Sequence, residues 1–327
     1  MTKKRVLTGA RPSGSPHLGN YFGAFKPAVS LQEKYQLFFF LADFHALNTD
    51  MPPTETHTLS LDLTATMLAC GLNPKESLFY AQSTVPEVNE LAWLISCQAP
   101  VGMLMRAHSY KDAVAKGVEV NMGVFNYPIL MAADILLYDA NIVPVGKDQK
   151  QHLEMTRDLA LRLNNRYGDL LTIPEPLISD DVAVVPGTDG QKMSKSKKNV
   201  VSLFANDKTW KQQIMSIVTD TKTLEEPKDP SNCHVFALCK LMATESELKQ
   251  LEESYRRGGF GYGHAKLALL DLMKTNFGSM RDEYFRIRSD EGFLLSVLKD
   301  GSDKARVLAK SKLKQIQKAI GVIGGDL

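Results

Sequence analysis

With 327 residues, 44% of them hydrophobic and 23% charged, the chain is long enough to bury two separate cores and has the composition of an ordinary globular protein. Its 39 Lys and Arg against 37 Asp and Glu leave a formal charge of only +2, so any contact with nucleic acid must come from local basic surface. The scattered cysteines Cys70, Cys97, Cys233 and Cys239 form no C-x-x-C pair, which argues against a zinc or disulfide framework. The densest apolar run, Leu37 to Ala42, is too short to span a bilayer, and the basic start Met1-Thr2-Lys3-Lys4-Arg5 has no signal-peptide core behind it. A cytoplasmic protein with no membrane partner is expected.

Arg5-Val6-Leu7-Thr8 is predicted to be a buried strand ending at Gly9. Gly19 to Gln36 has helical spacing through Phe22, Phe25 and Val29, and Pro27 predicts a kink or a broken first segment. Leu37 to Ala42, apolar at every position, is expected as a central parallel strand covered on both faces, stopping at Asp43-Phe44-His45. A helix from about Thr54 to Ala69, a strand Leu78-Phe79-Tyr80-Ala81 and a helix through Leu91, Leu94 and Ile95 follow. Residues 100–123 have a mixed pattern, and an insertion is placed at about 69–123. Pro128 is expected to open a helix, Ile129 to Tyr138, that is apolar except for Asp134. Ile142-Val143-Pro144-Val145 is the next strand, and a helix from the turn at Gly146-Lys147-Asp148-Gln149 reaches about Arg166. The alternation predicts an α/β fold with a parallel sheet over residues 1–198. Beyond Asn199 strand signals stop, and helices are expected over Lys211 to Val218, Val235 to Met242, Glu245 to Arg257, His264 to Phe277 and Ser302 to Ile320. These divide into a helical domain, 199–300, and a C-terminal helix, 301–327, with the option of packing back on the first domain. On that last helix Lys304, Lys310, Lys314 and Lys318 share a side, which suits a solvated face and an RNA-contacting one equally.

Two stretches carry the chemistry. A strand, the turn Gly9-Ala10-Arg11-Pro12-Ser13-Gly14 and a helix start near Gly19 put backbone N–H groups and a positive helix end at a sheet tip, a geometry that wants an anion. Neither G-x-G-x-x-G nor G-x-x-x-x-G-K-[ST] is present. Instead His17 and Asn20 stand at the helix start, able to donate to phosphate oxygens, although helix capping explains Asn20 as well. The second stretch is Lys192-Met193-Ser194-Lys195-Ser196, between the Gly-rich Pro186-Gly187-Thr188-Asp189-Gly190 and Lys197-Lys198. Alone it would pass for a solvated basic loop; with the first it suits a polyphosphate. With Pro128 beginning the helix, Tyr127, Met131 and Asp134 fall at i, i+4 and i+7 and face one way. A carboxylate there needs a donor. A core Arg or a backbone amide would serve, and so would an indole N–H, which only donates.

His17-Leu18-Gly19-Asn20 resembles the HIGH signature, and Lys192 to Ser196 matches the KMSKS signature at every position, in the order and separation of class I aminoacyl-tRNA synthetases. Within that class Pro12-Ser13-Gly14, Asn20-Tyr21, Met131 to Tyr138 and Val143 to His152 resemble the bacterial tryptophanyl-tRNA synthetases, from about Leu7 to Ser196 and more loosely to the C-terminus. Asn20 departs from the second histidine of HIGH, as is usual in that subfamily. The resemblance implies a Rossmann-like catalytic domain, an anticodon-binding helical domain, and a homodimer with a seam near Ala69 to Gly102. It implies activation of L-tryptophan by ATP to tryptophanyl-adenylate and transfer to tRNA(Trp), with His17, Asn20, Lys192 and Lys195 catalytic. ATP would meet Arg11, Pro12, Ser13, Gly19 and Asn20, with Gly146, Lys147 and Asp148 around the ribose, Val185 at adenine, and Met193, Ser194 and Ser196 in the signature loop. Asp148 serves equally well as a helix N-cap. Tryptophan would lie among Gly9, His45, Met131, Asp134, Val143 and Val145, with Tyr127 and Gln149 near its α-amino group. Mg2+ would be bound through the ATP phosphates and water, with no protein metal site. Tyrosyl-tRNA synthetase shares fold and signatures and is the nearest alternative, followed by a small-molecule nucleotidyltransferase and an RNA-binding regulator without activity.

Overall fold

The computed structural model describes residues 3–48, 52–117, 119–146, 149–178 and 185–326. The apolar runs of the N-terminal half pair as a five-stranded parallel sheet, β1 (Arg5–Ala10), β2 (Gln36–Leu41), β3 (Leu78–Ala81), β4 (Ile142–Val145) and β5 (Glu175–Ile178), in the order β3-β2-β1-β4-β5. Side chains alternate between the two faces, as the strand repeat requires. Leu7, Phe38, Phe40, Tyr80, Val143 and Val145 enter one core, while Val6, Leu37, Phe39, Leu41, Phe79 and Ile142 enter another. The unbroken hydrophobicity of 37–42 thus reflects burial on both faces. β5 was not predicted. It carries Pro176 and follows Pro174, residues that argue against a strand, and it lies at the sheet edge, where proline is tolerated.

The helix expected over 19–36 is in three pieces: α1 (Leu18–Asn20), a π-helical turn at Tyr21–Phe25, and α2 (Lys26–Lys34). Pro27 sits in the first turn of α2, where proline is best tolerated, and the π-helical irregularity lies just before it. There follow α3 (Asp43–Ala46), α4 (Pro53–Ala69), α5 (Glu87–Ser96), α6 (Val101–Met105), α7 (His108–Ala115), α8 (Met122–Leu136) and α9 (Lys150–Tyr167). The mixed stretch 100–123 is largely helical. One expectation needs correcting here. Pro128 does not open α8 but lies inside it: Asn121 is the cap, its side chain accepting from the Val124 N–H at 2.9 Å, and burial holds the helix together past the proline.

Beyond residue 199 come α10 (Asp207–Met215), α11 (His234–Cys239), α12 (Glu245–Arg257), α13 (Tyr262–Arg288) and α14 (Glu291–Ile320). The core of α10 to α13, around Trp210, Tyr255, Met273 and Phe277, reaches Leu18 and Met193 of the two signature stretches. α14 runs unbroken through residue 300, where a boundary was expected. Its first half packs Leu294 against Leu61, Tyr284 and Ile287 and sends Leu298 into the core on one face of the sheet, and Ala305, Ala309, Leu313 and Ile316 join Tyr80 and Val88 in the core on the other. Arg306 pairs with Glu87 at 3.1 Å, and buried Lys312 with Asp139 at 2.6 Å. Among the described residues no helix is long and apolar enough to cross a membrane.

Candidate active site

β1 lies between β2 and β4, so the chain leaves it to one side and returns on the other. At such a switch point a crevice opens beyond the strands' C-terminal ends. At the end of β1, Gly9 is required: a Cβ there would stand 2.7 Å from the Phe40 ring. The crevice holds a cavity of about 820 Å³. Gly9, His45, Tyr127, Met131, Asp134, Val143, Val145 and Gln149, the residues singled out for an amino acid, all line it, together with Leu7, Arg11, Gly146 and His152.

Asp134 is 3% exposed. Its partner is neither a core Arg nor a backbone amide. Oδ2 lies 3.1 Å from His45 Nε2, and Gln82 Nε2 donates to Oδ1 at 3.0 Å and to Oδ2 at 2.8 Å. Burial raises the pKa of this carboxyl, opposed by the hydrogen bonds from His45 and Gln82. Nearby, Tyr127 Oη donates to Gln149 Oε1 at 2.7 Å, and His152 Nδ1 lies 3.1 Å from the same oxygen. The Tyr127 ring sits edge-on between His45 and His152, with centroids 4.9 and 5.0 Å away. Gln82 and the role of His152 were not read from the sequence. The one signal for Gln82 was its place directly after a strand at the sheet's C-terminal edge.

The phosphate-suited stretches meet in a second cavity, of about 520 Å³, lined by Ser13, His17, Gly19, Asn20, Val185, Lys192, Met193, Ser194, Lys195 and Ser196 and, among the described residues, by no carboxylate. His17 caps α1: Asn20 N–H donates to His17 Nδ1 at 3.3 Å, and His17 N–H donates to Asn20 Oδ1 at 3.2 Å. The capping account of Asn20 therefore holds, and it has a chemical consequence. With Nδ1 accepting, the proton of the neutral ring is on Nε2, and the Asn20 NH2 is left to donate. Burial, then the charge of Lys195, lower the His17 pKa to about 4, so the ring is neutral at physiological pH.

Met193 anchors the signature loop. It is buried, its N–H donates to the Val185 carbonyl at 3.0 Å, and its sulfur accepts from the Gly19 N–H at 3.4 Å. Lys195 Nζ donates to the Ser13 carbonyl, and burial lowers its pKa. Leu18 N–H to Val201 O and Leu203 N–H to Pro16 O, 3.0 and 2.9 Å, clip the segment after the loop to the first signature. A smaller cavity of about 200 Å³ shares Arg11 with the large one and Ser13, Asn20 and Lys195 with the phosphate-suited one, so the two are neighbours along one crevice. Pro12 is buried and lines neither. Lys147 and Asp148 lie outside the described residues.

A nucleotide-type crevice with both signatures on one cleft is the arrangement of a class I aminoacyl-tRNA synthetase. The family model "tRNA synthetases class I (W and Y)" matches residues 2–278, and the chain belongs to that family. It is 49% identical over 325 residues to the tryptophan–tRNA ligase of Fusobacterium nucleatum, covering 98% of this chain and 99% of that one. To the Campylobacter jejuni tryptophan–tRNA ligase it is 48% identical over 318 residues, 97% of this chain and all of the relative. The crystal structure of the C. jejuni tryptophanyl-tRNA synthetase complexed with ADP and tryptophan superposes with a TM-score of 0.93 at 48% identity, covering 97% of this chain and 100% of that one. Such whole-length identity puts the chain in the tryptophan branch.

Proposed function

We propose that the chain performs the tryptophan–tRNA ligase reaction of its branch with the larger cavity as the tryptophan pocket and the signature-lined cleft as the seat of the ATP phosphates. The observation that carries this assignment is that His17, Lys192 and Lys195 face one cleft, beside a mostly apolar cavity containing a buried acid, and that among the described residues no carboxylate lines that cleft. The tryptophan carboxylate attacks the α-phosphorus of ATP in line. One P–O bond forms, the bond to pyrophosphate breaks, and tryptophanyl-adenylate remains. No protein nucleophile takes part, so catalysis is positioning and charge stabilisation.

His17 Nε2–H and the Asn20 NH2 hold phosphate oxygens, while Lys192 and Lys195 meet the charge developing on pyrophosphate. Ser13, Gly19, Met193, Ser194 and Ser196 complete the wall of the phosphate seat, Arg11 stands between the two cavities, Val185 offers its backbone to adenine, and Gly146 lies at the ribose side. Mg2+ comes with ATP as the counter-ion of its phosphates. A cleft of lysine, imidazole and amide donors suits such phosphates, and among the described residues no group of three or more His, Cys, Asp or Glu forms a cage. A ribose hydroxyl of the terminal adenosine of tRNA(Trp) then attacks the activated carbonyl and releases AMP. Residues 199–300 read the anticodon, and exposed apolar side chains such as Trp93 (70%) and Val101 (63%) suit a dimer seam.

Lys195→Ala decides the assignment. Tryptophan-dependent pyrophosphate exchange should fall about 10²–10³-fold, the loss typical of one oxyanion donor, while the tryptophan Kd stays unchanged. Equal exchange rates in variant and parent would sink it. Exchange that depends on tyrosine and ignores tryptophan would sink the pocket assignment.

A further inference from the structure

We infer that Gln82 is a specificity-determining positioning residue for tryptophan: it ties the turn carrying His45 to Asp134 and leaves Asp134 Oδ1 as the acceptor for the indole N–H. The inference deepens the reading of the large cavity as the tryptophan pocket and rests on it. Gln82 is 1% exposed and begins the short turn, Gln82–Thr84, directly after β3. Both ends of its amide are engaged. Oε1 accepts from the Phe44 N–H at 3.1 Å and the His45 N–H at 3.4 Å, at the start of α3, and Nε2 donates to both oxygens of Asp134. Only this orientation is chemically sound. A flipped amide would set its NH2 against two backbone donors and its oxygen against a carboxylate.

The carboxylate's own hydrogen bonds show which oxygen is available. Oδ2 has His45 Nε2 and Gln82 Nε2, whereas among the described residues Oδ1 has Gln82 alone. A carboxylate offers about four lone-pair sites, so one on Oδ1 remains for a ligand. The amide also acts on the charge state. A buried carboxyl drifts towards its neutral form unless donors hold the anion, and a neutral carboxyl carries an O–H that presents the wrong sign to an indole N–H. Removing Gln82 therefore frees the carboxylate to rotate and weakens its hold on the negative charge, without touching the phosphate cleft.

The test compares tryptophan with 3-benzothienylalanine, the isostere with sulfur in place of the indole N–H, by kcat/KM in pyrophosphate exchange. The parent prefers tryptophan. Gln82→Met lowers that preference at least about tenfold through the tryptophan KM, with kcat and the ATP KM changed by no more than about twofold. Gln82→Ser, which leaves room for water beside α3, gives the same direction and serves if the methionine variant does not fold. Combined with Asp134→Asn, Gln82→Met causes no further loss, because it acts through Asp134. Should Asp134→Asn itself leave the preference intact, the tryptophan reading of the cavity fails. Should Asp134→Asn abolish it while the Gln82 variants keep it, or the two losses add, that reading stands and the inference about Gln82 is overturned.

Discussion

His17 illustrates how a single residue's local bonding sets its chemistry. Its ring is committed at Nδ1 to the Asn20 N–H, and burial with Lys195 nearby brings its pKa from 6.5 to about 4. A pH profile of pyrophosphate exchange should therefore carry no His17 limb around the ordinary histidine range. A limb near 6.5 that vanishes in His17→Asn would contradict a neutral Nε2–H donor. Folding gives the same sign: between 6.5 and about 4 the unfolded chain holds more protons on this residue than the folded one, so His17 stabilises above 6.5 and that contribution is lost as pH falls through about 4. His17→Asn should flatten the fall in Tm across that window. At this scale sequence reading is uneven. A carboxylate alone in an apolar helix is an anomaly that any reader of periodicity notices, which is why Asp134 stood out. An uncharged glutamine after a strand violates no rule, so Gln82 did not, although it is the side chain that holds Asp134.

Among the elements, the signature loop owes its shape to a residue outside its five-letter signature. Asn199 is 2% exposed. Its Oδ1 accepts from the Ser194 N–H at 2.7 Å, and its Nδ2 donates to Asp189 Oδ1 at 2.7 Å and to the Lys192 carbonyl at 3.2 Å. Its amide packs so closely on Gly187 that a Cβ there would overlap it, which gives that glycine its reason. Asn199→Ala removes the staple and leaves a backbone N–H without its partner, a loss of about 1–3 kcal/mol held within one loop. The ATP KM should rise and kcat fall, together about tenfold or more, while the tryptophan Kd is unchanged; unchanged ATP kinetics would show that the lysines find their places without it. The motif letters and the strand–helix alternation were legible because each has a local cause. β5 and the start of α8 were not, because prolines at 174, 176 and 128 sit where an edge position and tertiary burial override their usual meaning.

Across the whole molecule, the C-terminal helix supports the sheet at the strand that leads to the large cavity proposed for tryptophan. Packing back on the first domain was an option in the sequence, but amphipathic spacing in α14 shows that a face is buried and not against which strand. Gly301 lies against the backbone of Phe79 in β3, where a Cβ would overlap the carbonyl, and Thr84 Oγ1 meets Ser302 Oγ at 2.6 Å. Between these two contacts runs the segment Phe79 to Thr84, which includes Gln82. In Gly301→Ala the helix must lift or β3 must shift, an overpacking strain of about 1–3 kcal/mol that outweighs the better helix propensity of alanine, about 1 kcal/mol. Tm should fall. Because the displaced strand positions Gln82 and not the phosphate cleft, the tryptophan KM should rise several-fold while the ATP KM hardly moves. A variant that loses stability but keeps both constants would mean that the buttress supports only the fold; one that weakens both substrates equally would mean that the strain spreads through the sheet to β1 and does not stop at β3.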